Sequence, residues 1–329
     1  MKLSIDQIKA LTQGAETIVE ADGGIRFFRF THEELQVCRG QNELCTAGIQ
    51  MEFQTDAEKL VMAGNTRDAY PIRSFFSFDI FVNEAYVGSI KNFDEQESNE
   101  VYADKTFPVG NFEASFDLGK GDKCVRIVFP HSIVPEISLI ELDSAGYVEP
   151  IRKKKIMVAY GDSITQGYDA LHPSQTYAMR VARKLDAELI NKGIGGAPFL
   201  PELAEVPTER MPDYVTVAYG TNDWSLFEQD EFEQVCRRFM QAIAQHYAHS
   251  RIVVITPIWR ADFEQSKKFG EFYHVERIIK KVCAELDDVT VVSGWDTVPH
   301  ESSCFGDGKL HPNGQGFEHY ARHLMKVME

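Results

Sequence analysis

The chain has 329 residues, of which 43% are hydrophobic and 26% charged, and a net charge of −16. The length predicts two domains of about 150 residues. No segment approaches the roughly 18 consecutive apolar residues of a membrane helix, and the composition is that of a folded protein, so membrane and disordered classes are excluded. The charge is uneven, −12 over residues 1–150 and −4 over residues 151–329, and such an acidic surface argues against nucleic acid as a partner.

The first residues, MKLSIDQIKALTQG, place Asp6 and Lys9 where a secretory signal needs an unbroken apolar run, so a short amphipathic helix started by Ser4 is expected instead. From Glu16 to Leu142 the apolar residues alternate: IRFFRF, IQMEFQ, SFFSFDIFVN, FEASFDL, CVRIVF and ISLIEL. Period two with Gly, Asn and Asp punctuation predicts antiparallel strands and an all-β sandwich over residues 1–150. The charge run Arg152–Lys155 after Pro150 marks the expected junction with a second domain, residues 151–329. The six cysteines include no CxxC pair, which predicts free thiols and a cytoplasmic location.

Beyond the junction, short apolar strands alternate with helical stretches. Strands are expected at 156–160, 187–191, 214–219, 251–256 and 289–293. Helices are expected within SQTYAMRVARKL, DEFEQVCRRFMQAIAQHY and the closing GQGFEHYARHLMKVM. This order predicts a three-layer α/β/α domain around a parallel sheet, whose ligands bind beyond the carboxyl ends of the strands.

The residues at those ends carry the chemistry. After the first strand, GDSITQG places Ser163 at the start of a helix, either as a cap or as a nucleophile. After the second, NKGIGGAPF holds three glycines that let backbone N–H groups approach a ligand but do not form a GxGxxG or Gly-Lys-Ser/Thr phosphate signature. After the third, YGTNDW offers the Asn222 side-chain amide as an oxyanion donor or a turn residue. Near the end, FGDGKLHPNGQG presents His311, an imidazole suited to deprotonating a serine near neutral pH.

Taken together, Ser163 in GDSI, Gly196 in NKGIGG, Asn222 in GTND and His311 in LHPNGQG resemble the SGNH hydrolases, the superfamily of the GDSL-type esterases, over residues 156–329. The resemblance implies a flavodoxin-like fold and a Ser-His-Asp acyl-enzyme mechanism. Its oxyanion hole would be formed by the Ser163 and Gly196 backbone N–H groups and the Asn222 amide. One departure stands out: the acidic member usually precedes the histidine by three residues, whereas Asp307 precedes His311 by four. Gly308 would absorb the extra residue; otherwise Asp296 or a backbone carbonyl orients the imidazole.

The order of sandwich then hydrolase is similar to carbohydrate esterase family two, acetyl esterases whose N-terminal domain is a jelly roll. It implies removal of O-acetyl groups from carbohydrates. The competing readings are a general short-chain esterase or acyltransferase and a carbohydrate-binding protein with an inactive hydrolase domain. Trp224 and Trp259 are candidate substrate-stacking residues, with packing the alternative. Asp162 and Asp223 are assigned to turn hydrogen bonds, and Arg260 to a carboxylate ligand or a surface ion pair. His319 and His323, four apart on the last helix, lack a third ligand, so no metal or cofactor is implied. The expected partner is an acylated small molecule or oligosaccharide, with no membrane and homo-oligomerisation left open.

Overall fold

Alternation produces the N-terminal strands. The computed structural model describes residues 1–21, 23–38, 40, 42–69, 73–94, 105–143, 145–206 and 208–329. The helix Ile5–Leu11 begins at Ser4, whose side chain accepts from Gln7 N–H in a reciprocal capping box. Two antiparallel sheets follow. One runs in the order Thr12–Gln13, Gln50–Thr55, Lys123–Val128, Ser77–Val82, Ala85–Lys91, with Val148–Pro150 also on Gln50–Thr55. The other runs Thr17–Ala21, Gly24–Phe28, Ile133–Leu142, Lys59–Asp68, Asn111–Asp117. Phe53, Phe78 and Ile127 of the first and Leu60, Met62 and Ile137 of the second enter one shared core, as in a sandwich.

The polar residues between these apolar ones do not all face water. Glu52, Asp79 and Arg126 on the first sheet are buried, because the C-terminal half covers that face. Phe81 and Val128 belong to the core on one side of the C-terminal sheet, and Phe30 and Cys38 to the core on the other.

The five expected parallel strands form at Lys155–Gly161, Ala187–Gly193, Tyr214–Ala218, Arg251–Ile255 and Val289–Val292, in spatial order second-first-third-fourth-fifth. Successive side chains point to opposite faces, so each strand supplies two cores. Val158, Tyr160, Val215 and Val217 pack with the helices Gln229–His246 and Tyr273–Cys283. Met157, Ala159, Val253 and Ile255 pack with Tyr177–Lys184 and Gly314–Met328. Strand order reverses between the second and third strands, on either side of the first, so the crevice for a ligand lies beyond the end of the first strand.

Two aspartates fix the turns at that crevice, as assigned from the sequence. Asp162 Oδ1 accepts from Ile164 N–H at 2.9 Å, capping the short helix Ser163–Gln166. Asp223 Oδ1 accepts from Phe199 N–H at 3.0 Å, while its Oδ2 is buried without a partner. Burial pushes the Asp162 carboxyl up to about 6 and the Asp223 carboxyl up to about 7, against the hydrogen bonds that favour their anions.

Buried polar contacts also cross the seam between the two halves. Arg29, fully buried, donates to the carbonyls of Cys45 (2.9 Å), Asn42 (2.7 Å), Asn191 (2.8 Å) and Gly193 (2.6 Å). Lys192 Nζ, also fully buried, reaches Arg29 O at 2.8 Å and Glu34 Oε2 at 2.6 Å. No helix among the described residues is long and apolar enough to cross a membrane.

Two stability outcomes are expected. Arg29→Met leaves four buried carbonyls without their donor and should lower unfolding free energy in urea by about 3–5 kcal/mol. Asp223, protonated in the fold up to about pH 7 and ionised above about pH 4 when unfolded, makes the fold lose stability as pH rises between those values. Asp223→Asn should therefore reduce the loss between pH 5 and pH 7 by about 2 kcal/mol, read as a smaller shift of the urea midpoint.

Candidate active site

The turn after the first strand needs glycine at its pivot. A Cβ on Gly161 would lie 2.0 Å from Thr165 Oγ1 and 2.7 Å from Ala218 O, so no side chain fits between the strand end and the helix that folds back over it. Asp162, not Ser163, caps that helix, which leaves the serine hydroxyl free for other chemistry. Ser163 Oγ lies 2.8 Å from His311 Nε2.

His311 is held from its other side. Its Nδ1 is 2.8 Å from Asp307 Oδ2, and the second oxygen of the same carboxylate accepts from the N–H groups of Lys309 (3.0 Å), Leu310 (2.8 Å) and His311 (3.1 Å). The additional residue between Asp307 and His311 is thus taken up in a turn wrapped around Oδ1, with Gly308 at φ +71°. Asp296, the alternative acid, is exposed and faces His300. Burial raises the Asp307 carboxyl, but the His311 contacts and the turn N–H groups outweigh it and hold the group well below the usual carboxylate range.

The glycine loop lies on the other side of Ser163. Ile194 N–H donates to Gly161 O at 2.9 Å, and Ala197 N–H closes a turn onto Ile194 O at 3.0 Å. Gly196, at φ +78°, is exposed within it. Asn222 Nδ2 donates to Ala197 O at 3.0 Å, tying the end of the third strand to this loop. Among the described residues, neither the Ser163 nor the Gly196 backbone N–H has a hydrogen-bond acceptor. The N-terminal half braces the same loop: Asn42 Nδ2 donates to Gly195 O at 3.2 Å, and Gln166 links Gly195 N–H to His131 O. A cavity of about 630 Å³ opens here, lined by Gly196, Ala197 and Leu200 and, from the N-terminal half, Val37, Cys38 and Asn42. A larger one of about 870 Å³ is lined by Phe263, Phe272, Tyr273 and Trp295, and neither cavity includes Ser163 or His311.

Of the two tryptophans weighed between substrate stacking and packing, Trp224 packs in the core. Trp224 is fully buried: the short helix Asp223–Leu226 turns its ring into the core, Nε1–H donates to Gly270 O at 2.7 Å, and Arg260 and Lys267 cover the ring. It has no face to offer a sugar. Trp259 is half-buried, stacked on His300 and packed against Phe305, and lines neither cavity. Arg260 is paired with Asp262 and donates to Thr221 O at 3.0 Å.

Three residues near His311 had no motif to announce them. Arg73 comes from the N-terminal half, and its Nε is 2.6 Å from Asp169 Oδ1. Tyr168 places its ring beside both His311 and the Arg73 guanidinium. Asp169, Asp307 and His311 bring ligand-type atoms within 4.8 Å of one another, and the positive charge seated among them is that of Arg73. Tyr168 and Asp169 directly follow GDSITQG without belonging to it, and Arg73, in IRSFF, lies far from any motif.

Residues 159–319 match the GDSL-like Lipase/Acylhydrolase family. No curated protein matches the chain in sequence. Among solved structures, the chain is similar to the salicylyl-acyltransferase SsfX3 from a tetracycline biosynthetic pathway. That likeness has 18% identity and a TM-score of 0.81, covering 100% of this chain and 96% of that one. A family two carbohydrate esterase from Clostridium thermocellum in complex with cellohexaose aligns at 14% identity and a TM-score of 0.66, covering 96% and 98%. An acetyl xylan esterase, Est2A, from the rumen bacterium Butyrivibrio proteoclasticus aligns at 14% and 0.64, covering 100% and 97%. The matched segment thus resembles the GDSL-like lipase/acylhydrolase family, and the whole chain shares the fold and two-part architecture of the family two carbohydrate esterases.

Proposed function

We propose that the chain is a serine esterase that removes O-acetyl or other short acyl groups from carbohydrates in the cytoplasm, with residues 1–150 and 151–329 as its two domains. The observation that carries the esterase reading is the line of contacts from Ser163 Oγ through His311 to Asp307, each 2.8 Å long. The similarity of architecture to the family two esterases supports the carbohydrate, and six free cysteines among the described residues support a reducing compartment.

In this mechanism His311 Nε2 takes the Ser163 proton as Oγ attacks the ester carbonyl carbon. Asp307 holds Nδ1–H, which fixes the tautomer and leaves Nε2 as the acceptor. The oxyanion is met by the unpartnered Ser163 and Gly196 N–H groups and by the Asn222 amide. His311 then passes its proton to the departing sugar oxygen. Water, deprotonated in turn by His311, attacks the acyl-enzyme and releases acetate and free serine. The cavity that Gly196 shares with the N-terminal half, which Ser163 and His311 do not line, would take up more distant parts of the saccharide.

A second reading rests on the whole-chain likeness to the acyltransferase SsfX3: the same acyl-enzyme is discharged to an acceptor hydroxyl in place of water. The two differ only in what enters after the first alcohol leaves.

The test is acetate release from acetylated xylo- and manno-oligosaccharides, beside 4-nitrophenyl acetate, by wild type and Ser163→Ala. Sugar deacetylation lost by about a thousandfold or more in the variant is the expected result. Cleavage of the chromogenic ester alone would remove the carbohydrate assignment. Acylated glycerol accumulating when glycerol is added would move the transferase reading ahead. Binding of the oligosaccharides by a wild type inert to every ester would leave a binding protein. Asn222→Ala should lower kcat by about 100- to 1,000-fold through loss of one oxyanion donor, and Asp307→Asn by about 10,000-fold through the wrong imidazole tautomer, both read in the same assay.

A further inference from the structure

We propose that Arg73, supplied by the N-terminal half, is a positioning residue for His311: it claims the carboxylate of Asp169, so that Asp307 alone orients the imidazole. The inference rests on the reading of His311 as the base for Ser163.

The imidazole faces charge on several sides. Asp307 Oδ2 is 2.8 Å from Nδ1 and Asp169 Oδ2 is 3.8 Å from it. Asp162 lies buried beneath the Ser163 turn, and the Tyr168 ring flanks the imidazole. Arg73 is the single cation within this group: Nε and Nη2 engage Asp169 Oδ1 and Oδ2 at 2.6 and 3.3 Å, and Nη2 is 3.2 Å from His311 Nδ1 and 3.7 Å from Asp307 Oδ2. The guanidinium is nearly buried, with 11% of its side chain exposed, and Asp169 is still less exposed. This is therefore not a screened surface pair of small effect.

The backbone is left-handed at both residues of the pair. Arg73 has φ 61° and Asp169 φ 67°, left-handed conformations that non-glycine residues adopt at a cost. The fork of the guanidinium spans both Asp169 oxygens, a geometry that an ammonium does not reproduce.

The consequence concerns the proton. With Nδ1–H given to Asp307, Nε2 is free to accept from Ser163. Without Arg73, two unneutralised carboxylates face the imidazole within 4 Å of Nδ1, and both favour a protonated ring that cannot act as base. With it, the guanidinium beside Nδ1 opposes that charge. The imidazolium formed from Ser163 then gives its proton to the leaving oxygen.

The experiment compares wild type, Arg73→Met, Arg73→Lys, Asp169→Asn and the Arg73→Met/Asp169→Asn double variant. It measures kcat and KM for 4-nitrophenyl acetate from pH 5 to 9, the rate of Ser163 labelling by a fluorophosphonate, and folding by thermal unfolding. Arg73→Met should lower kcat about 10- to 100-fold near pH 6 with KM changed less than about twofold. It should move the acid limb of the profile up by about one pH unit. Arg73→Lys should restore the acid limb more than kcat, and the double variant should return the limb toward wild type. If Arg73→Met does not fold, Asp169→Asn alone decides: Arg73 unpaired beside the ring should move the limb down. A folded Arg73→Met, or Asp169→Asn, with the wild-type kcat and limb overturns the inference while the esterase reading stands. A wild type inert to both the ester and the fluorophosphonate overturns the reading of Ser163 and the inference with it.

Discussion

The arrangement depends on one buried guanidinium. Arg29 lies on the N-terminal side of the seam, and two of its four acceptors, Asn191 O and Gly193 O, are on the second parallel strand, directly before the glycine loop. A charge without water is tolerable only when its donors are met, so these carbonyls and Arg29 hold each other in place. Lys192, between them in sequence, reaches back across the seam to Arg29 O and Glu34. The strand that delivers Gly196 to the crevice is thereby fixed by side chains from outside its own sheet.

Burial treats the carboxylates of the site in opposite ways, and the difference sorts their roles. Among the described residues Asp162 and Asp223 have no cation within hydrogen-bond reach, and their backbone donors do not offset desolvation, so their carboxyls are pushed up to about 6 and about 7. They hold turns, and near neutral pH they carry less than full charge. Asp307 is almost as enclosed, yet three N–H groups and the imidazole converge on it, and its carboxyl falls below the ordinary range. The imidazole contact and the less complete burial together separate the Asp307 anion from the carboxyls that hold turns.

Much of this was legible in the sequence because it is local. The five parallel strands are runs of β-branched and apolar residues, and the closing helix Gly314–Met328 coincides with GQGFEHYARHLMKVM. The strand-end motifs named Ser163, Gly196, Asn222 and His311 because an open parallel sheet gathers strand ends into one crevice. The strands Lys59–Asp68 and Ala85–Lys91 were passed over: the former ends in the polar stretch GNTRD and the latter contains Gly88, so neither gives a clean period of two. Trp224 was left between packing and substrate stacking because position after a strand does not say which way a ring turns, and here the following short helix directs it inward. Arg73 was invisible for a different reason. Its partner Asp169 is 96 residues away, and nothing local marks a long-range ion pair.

The same long-range contacts answer what the sandwich is for. A domain appended only to bind ligand would present a polar outer face to its neighbour and leave the neighbour's cores closed. Here Phe81 and Val128 complete the core beneath Tyr177–Lys184 and Gly314–Met328, while Phe30 and Cys38 complete the other. Asp79, fully buried, gathers His172 and Ser174 from the loop that follows the Ser163 helix, at 2.6 Å each. Both faces of the parallel sheet, the glycine loop and the surroundings of His311 thus contain N-terminal residues. The motif residues of the C-terminal half are held in their geometry by contacts from both halves, which ties the chemistry of the crevice to the integrity of the seam.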